Sequence, residues 1–437
     1  MKTIVTLMAA AVGITAILTM PAKGAPIPAF ARKYKTSCST CHVIVPKLND
    51  FGEAFRLNGF KIPPDDELFV KDEPLSLGAS ALRDEWPSAM LPSTIPGLPP
   101  ISVWIRWGFV QDEGTNTKVN FTSPSLTWMI GANIGDDVSF FMEQGPKQRA
   151  YFKIDDFMNN PLFGEDLLPD RMFDLRFGLL EPDLIAFSDA RRITLTEHLM
   201  YNSTYRFGTG NGNSFKFDRQ IALEISGIIE ERIRYVFGIT NGSNESGDNN
   251  SRKDLYFRAA WKVFGGMAFS GQEDIEEMPE AKANWTDDSV TVGFFAYNGR
   301  NTVSDATAPG TTYGIPFNRF GADLRVNWGD LDLMTAVSWG EDENPGNNGL
   351  DVGIFSGLVE ADYMLAPWLM LYGKFEWIQY RLPNDDLLDS QEARRTVLGI
   401  TASIYPNFRV TAEYAINADL HGFDRPDTLL FRIDMDF

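Results

Sequence analysis

Leu429-Leu430-Phe431-Arg432-Ile433-Asp434-Met435-Asp436-Phe437 alternates without a break. Leu429, Phe431, Ile433, Met435 and Phe437 fall on one face; Leu430, Arg432, Asp434 and Asp436 fall on the other. Period two is the signal of a β-strand. An apolar row that ends on an aromatic, backed by a charged row, suits a strand with hydrocarbon on one side and water on the other. An edge strand of a soluble β-protein would alternate in the same way, so the reading depends on the rest of the chain.

Upstream segments repeat the pattern. Ile233, Tyr235, Phe237 and Ile239 oppose Arg232 and Arg234; Phe320, Ala322, Leu324, Val326 and Trp328 oppose Arg319, Asp323, Arg325 and Asn327; Phe408, Val410, Ala412 and Tyr414 oppose Arg409, Thr411 and Glu413. A charged second face fits a wet lumen better than a dry sandwich core. Long polar stretches (300–316, 341–352, 381–393, 417–426) alternate with tight turns at Gly329-Asp330, Ala366-Pro367 and Pro406-Asn407. Long loops at one end and short turns at the other mark outer-membrane barrels. Trp328, Trp368 and Tyr405 beside the turns suit an interfacial girdle. The pattern predicts an all-β transmembrane barrel over 101–437. About seventeen candidate strands occur, and termini on one side of the membrane require an even number, so sixteen antiparallel strands are expected. Residues 144–200 are the least legible part.

The other end differs. Lys2, an apolar run from Ile4 to about Met20 and Ala22-Lys23-Gly24 read as a secretory signal over 1–24, with a mature start at Ala25. A membrane anchor is the competing reading, but the run is short for a spanning helix. The formal net charge of the full chain is −20, and loss of the two signal lysines makes it more negative. Such a field disfavours nucleic acid and attracts cations; acidic loops also bring solubility.

The chain has only two cysteines, both in Cys38-Ser39-Thr40-Cys41-His42. C-x-x-C-H is the attachment signature of c-type haem. Two thiols add to the vinyl groups, and the adjacent imidazole reaches the iron as proximal ligand. A redox dithiol would want a βαβ context, and zinc would want further Cys or His ligands nearby; neither is present. Phe30 and Tyr34 lie four apart, and Leu48, Phe51 and Phe55 fall at helical spacing before an Asn58-Gly59 stop. These aromatics are expected to cover the macrocycle in a small α-helical segment over 25–86. The sixth ligand stays open: Met90, the first methionine after the motif, is one candidate, and another residue or water is the alternative. Residues 87–100 read as a proline-rich linker able to reach ~40 Å, which lets the haem segment plug the lumen. No hydrolase triad, phosphate loop or zinc constellation is visible.

The sequence resembles the outer-membrane cytochrome–porin fusions associated with bacterial iron oxidation. The likeness lies in Ala29-Phe30-Ala31-Arg32, Cys38 to His42, Pro46 to Gly52, Phe55 to Phe60, the stretch from Trp86-Pro87 through Ile95 to Pro100, and Gly238 to Gly242 with the terminal strand. It implies one covalent c-type haem on Cys38, Cys41 and His42 in a barrel of about sixteen strands. It further implies electron uptake from extracellular Fe(II), as in an Fe(II):cytochrome oxidoreductase, with delivery to a periplasmic c-type cytochrome. No iron-binding residue carries over, and other reductants remain open. The alternative is a solute porin whose haem segment is a gating or sensing plug, with Arg232, Arg234, Arg319, Arg325 and Arg409 facing the lumen. Replacing Phe437 by Asp puts a charge in the lipid-facing row, and the expected outcome is loss of assembled, heat-modifiable barrel from the membrane fraction; unchanged yield would contradict it.

Overall fold

The computed structural model describes residues 29–437 apart from 63–65, 72–74, 77–93, 96–99, 114–117, 135–136, 160–168, 203–204, 208–209, 212–214, 216, 243–249, 272–274, 276, 280–284, 305–309, 382–389 and 421–424. The signal 1–24, Met90 and most of the linker 87–100 therefore lie outside the described residues.

From Ile101 onward every barrel strand is antiparallel to its chain neighbour, and the last closes on the first. The register runs from Thr428 opposite Asp112 to Asp436 opposite Trp104. Lys118–Phe121 and Ser125–Ile134 both pair with Ile101–Asp112 and act as one strand interrupted at Pro124. Counted so, the barrel has the expected sixteen strands. Closure leaves no edge unpaired, as a sheet in hydrocarbon requires.

The alternation sorts as read. Phe237, Phe320, Phe355, Phe375 and Leu398 stay exposed on the outer face, while Arg319, Asp323, Arg409, Thr411 and Glu413 are buried on the inner one. Trp328 and Trp368 stand exposed beside their tight turns. Two readings need correction. The stretch 300–316 is mostly strand: Trp285–Ser304 and Thr312–Gly329 form one long hairpin, with Arg300 opposite Pro316. Arg232 does not face the lumen. It sits exposed in the turn after Ile229, donating to the Gly265 carbonyl at 2.8 Å.

Two inserts occupy the tube. One is the connection 181–219, which leaves the loop end of Asp174–Leu180 and folds inward. The Leu195 and Thr196 amides donate to Glu413 at 2.5 and 2.8 Å, the Leu199 amide donates to Glu376 at 2.7 Å, and Tyr205 donates to Asp342 at 2.8 Å. Its Tyr201, Phe215 and Phe217 pack against inward Tyr256, Phe295, Tyr297 and Phe317 of the wall.

The other insert is the N-terminal segment, at the tight-turn end. It holds helices Ala29–Tyr34 and Asp50–Leu57 and a short ladder pairing His42–Ile44 with Lys47–Leu48. Val43 and Ile44 pack on wall residues Met364, Met370, Tyr372 and Val397. Lys47 is buried between two wall carboxylates, 2.8 Å from Asp332 and in contact with Asp362. Asp332 has a second cation, Arg325, at 2.9 Å. Lys47 is the one cation within ion-pair distance of Asp362 among the described residues. A buried carboxylate stripped of its cation costs about 3–5 kcal/mol. Lys47→Met is expected to loosen the segment by that order, seen as earlier protease cleavage within 29–62 while the barrel stays heat-modifiable. Asp362→Asn in the same chain should restore most of the resistance, and an unaltered Lys47→Met protein would contradict the assignment.

Candidate functional site

Cys38 to Cys41 form one turn, and His42 opens the short ladder that follows it. Cys38–Thr40 is a 3₁₀ turn capped by Ser37, whose hydroxyl accepts from the Ser39 amide at 3.1 Å. Asn49 ties this turn to the helix that follows. Its amide donates to the Cys41 carbonyl at 3.0 Å, its Nδ2 donates to the Thr40 carbonyl at 3.0 Å, and its Oδ1 accepts from the Gly52 amide at 2.8 Å. Asn is a preferred N-cap because its side chain satisfies an orphan helix donor. Asn58 and Gly59, with φ +64°, end the helix as expected.

Cys38, Cys41 and His42 all open on one cavity of about 260 Å³ between the segment and the barrel wall. Its floor is aromatic. Phe30 meets Phe55 edge-on at 5.2 Å and stacks on Phe60 at 5.3 Å, and Phe60 lies 5.6 Å from Phe141 of the wall. Phe30, Phe51 and Phe55 thus converge as the spacing suggested, and Leu48 joins the lining from the ladder. Gly131 of the wall is open because a Cβ there would come within 2.9 Å of the Phe30 ring.

Burial sets the chemistry of the three groups. It pulls the His42 imidazole down to about 4, against the opposing pull of the Pro46 and Lys47 carbonyls. At neutral pH the ring is uncharged and able to ligate a metal. Its Nδ1 is buried with no hydrogen-bond partner. Burial pushes the Cys41 thiol up to about 12, and Cys38 is raised by the same cause with Asp436 adding to it. Such thiols are poor nucleophiles and poor zinc ligands until something else engages them. Among the described residues no cluster of three or more His, Cys, Asp or Glu could hold a metal ion.

The far lining carries charge. Arg56, Arg149 and Arg191 face the cavity with Glu143 and Asp436. Arg149 donates to Glu143 at 2.8 Å, and Arg191 has Glu53 at 3.7 Å. Two methionines also line it, Met129 from the wall and Met278 from the connection after Phe264. Neither was singled out from the sequence: Met129 lies within an ordinary alternating strand and Met278 far along the chain. Of the two remaining histidines, His198 does not line this cavity, and His421 lies outside the described residues. The donor set fits a flat apolar group with two thioether attachments, an imidazole axial ligand and carboxylates for the arginines.

The backbone packs tightly beneath the motif. A Cβ on Gly52 would overlap the Cys41 carbonyl oxygen. Gly52→Ala is expected to destabilise the segment by roughly 1–3 kcal/mol, the usual cost of overpacking. Hydrogen exchange of the Asn49–Asn58 amides should speed up while the barrel amides do not change; equal protection in both proteins would contradict this packing.

The chain matches no known protein-family model and no curated protein. Solved structures do match. OmpF of Salmonella typhi, in complex with daunomycin, superposes with a TM-score of 0.53 at 11% identity, covering 77% of this chain and 97% of that one. OmpT of Vibrio cholerae in its trimer form gives 0.48 at 11% identity, covering 77% and 98%. An anion-selective porin from Comamonas acidovorans gives 0.47 at 10%, covering 77% and 98%. At such identity the likeness is one of fold: this chain is a closed antiparallel β-barrel of the porin type.

Proposed function

We propose that the chain is an outer-membrane electron-transfer cytochrome, with one c-type haem attached through Cys38 and Cys41 and ligated by His42. The observation that carries this reading is the shared cavity. Two half-buried thiols, a neutral imidazole and an aromatic floor face one space, with cationic side chains opposite. The bound haem would supply one-electron chemistry at a potential set by axial ligation and burial. The rest falls to the protein. Asn49 holds the Cys38–His42 turn against the helix, Phe30, Phe55 and Phe60 exclude water, and Lys47 and Arg409 anchor the segment to the wall. The electron donor would be extracellular Fe(II) or another small reductant, drawn by the acidic chain, and the acceptor a periplasmic c-type cytochrome. An outer-sphere donor needs access to the cavity and no protein nucleophile.

A second reading is a solute porin in which the N-terminal segment is a gate; the likeness to OmpF favours it. The pairing of the wall charges speaks for the conduit. Arg319 lies 2.6 Å from Asp342, Arg234 2.6 Å from Asp183, and Arg409 3.0 Å from Asp434, so these arginines are already occupied and do not line an open anion path.

The expected outcome for the purified protein is haem stain that survives denaturation and acid–acetone extraction, and haem absorbance that shifts to the reduced form on mixing with Fe(II) in stopped flow. Haem extracted entirely into the organic phase would overturn the attachment. Covalent haem that ignores Fe(II), together with wide open-channel conductance in a planar bilayer, would favour the porin.

A further inference from the structure

An iron held by His42 would have a second axial position, and the cavity lining offers few groups to take it. Among the described residues the lining holds no second imidazole and no lysine amine. Its soft donors beyond the motif are the thioethers of Met129 and Met278. The hard donors nearby are engaged: the Tyr34 hydroxyl donates to Asp66 at 2.6 Å, and Glu143 accepts from Arg149 at 2.8 Å. Tyr151 has the Arg176 guanidinium 5.2 Å from its ring centre.

Met129 stands in a polar row. On Ser125–Ile134 it faces inward between Thr127 and Gly131. Across the strands it lies opposite Ser102 on one side and Glu143 on the other, with Arg149 next along. Inward rows of a barrel wall are polar, and an apolar thioether is the exception here. Ser102, Gly131, Glu143 and Arg149 line the cavity with it, so Met129 sits inside the wall's share of the lining. It joins none of the apolar clusters formed by the described residues. Met278 differs. It packs on the cluster of Tyr34, Phe51, Phe55 and Phe60, on which Cys41 also packs. Methionine commonly fills gaps in such a cluster.

The imidazole and the Met129 thioether also come from different bodies. An axial pair must approach a flat macrocycle from opposite faces. His42 belongs to the N-terminal segment, which leans through Val43 and Ile44 on strands Val352–Ala366, Leu369–Arg381 and Ser390–Tyr405. Met129 belongs to another sector of the wall. Both reach the same cavity. A thioether paired with imidazole raises the potential of a c-type haem, which favours acceptance of electrons from the donor.

We propose that Met129 is the second axial ligand of the haem iron, so that the barrel wall completes the coordination begun by the segment. The proposal rests on the covalent haem proposed above.

The test is absorption and magnetic spectroscopy of the ferric holoprotein, purified in detergent with its haem attached. Ferric iron bound by a thioether has a weak charge-transfer band at the red end of the visible spectrum, which bis-imidazole and water-ligated haems lack. The expected result is that band in the parent, in Met278→Leu and in Met90→Leu. Met129→Leu should lose it and show a lower midpoint potential, and Met129→His should give a bis-imidazole spectrum. Heat-modifiable gel mobility reports folding, and Met129→His carries the test if Met129→Leu fails to assemble. A covalent haem whose band is absent from the parent, survives in folded Met129→Leu or Met129→His, or disappears in Met278→Leu or Met90→Leu would overturn Met129 as ligand and leave the attachment standing. A parent protein without acid–acetone-stable haem would overturn the attachment itself, and the ligand with it.

Discussion

A charge on the inner wall of a closed barrel has to find its counter-charge within the same tube. Outside lies hydrocarbon, where a charged side chain costs ~2–4 kcal/mol at mid-depth, so the strands turn apolar rows outward and polar rows inward. The inward rows here are dense in ions, and burial makes each unpaired one expensive. Cross-strand pairs settle part of this: Arg325 with Asp332, Arg409 with Asp434, Arg319 with Asp342. The inserts settle much of the rest. Lys47 enters from the N-terminal segment to meet Asp332 and Asp362, and backbone amides of the 181–219 connection come down on Glu376 and Glu413. The ion pattern of the wall therefore fits a filled tube, and the fit fixes where each insert sits.

Seating has a consequence for chemistry. The turn Cys38–His42 does not form a pocket alone. Its aromatic floor comes from its own helices, but the roof is the wall: Trp104, Met129, Phe141 and Tyr151. The cavity is thus shared between segment and barrel, and loss of the Lys47 anchor would open it. The wall is also what supplies Arg149, while the insert supplies Arg191, so all three parts of the chain meet at one site.

Much of this was legible because period two survives in a barrel strand wherever one face meets lipid. Ile233, Phe237 and Ile239 could be sorted by alternation alone, as could Phe320 and Trp328. Turn chemistry placed Gly329-Asp330 and Pro406-Asn407, and Asn58-Gly59 stopped the helix. What failed did so for local reasons. Gly314 and Pro316 broke the pattern in Thr312–Gly329, so a strand looked like a loop; pairing with Trp285–Ser304 overrode the residue preferences. Pro124 similarly split one strand in two. Arg232 was assigned a face although it belongs to a turn, where alternation has no meaning. The insert 181–219 was invisible as such. Leu184, Phe187, Tyr201, Phe215 and Phe217 follow neither period, because each is placed by the cavity it fills and not by a regular element. The cysteine–histidine motif was legible from chemistry alone, while Met129 and Arg149 became visible only when the wall closed over it.

The central claim is that electrons cross the membrane through this protein while ions do not. The most direct measurement encloses oxidised soluble cytochrome c in sealed vesicles carrying the barrel, oriented with its long loops outward, and adds Fe(II) outside. The account predicts reduction of the enclosed cytochrome with no leak of a trapped ionic dye, and no reduction when His42 is replaced by Ala. Dye leakage with the enclosed cytochrome still oxidised would contradict it.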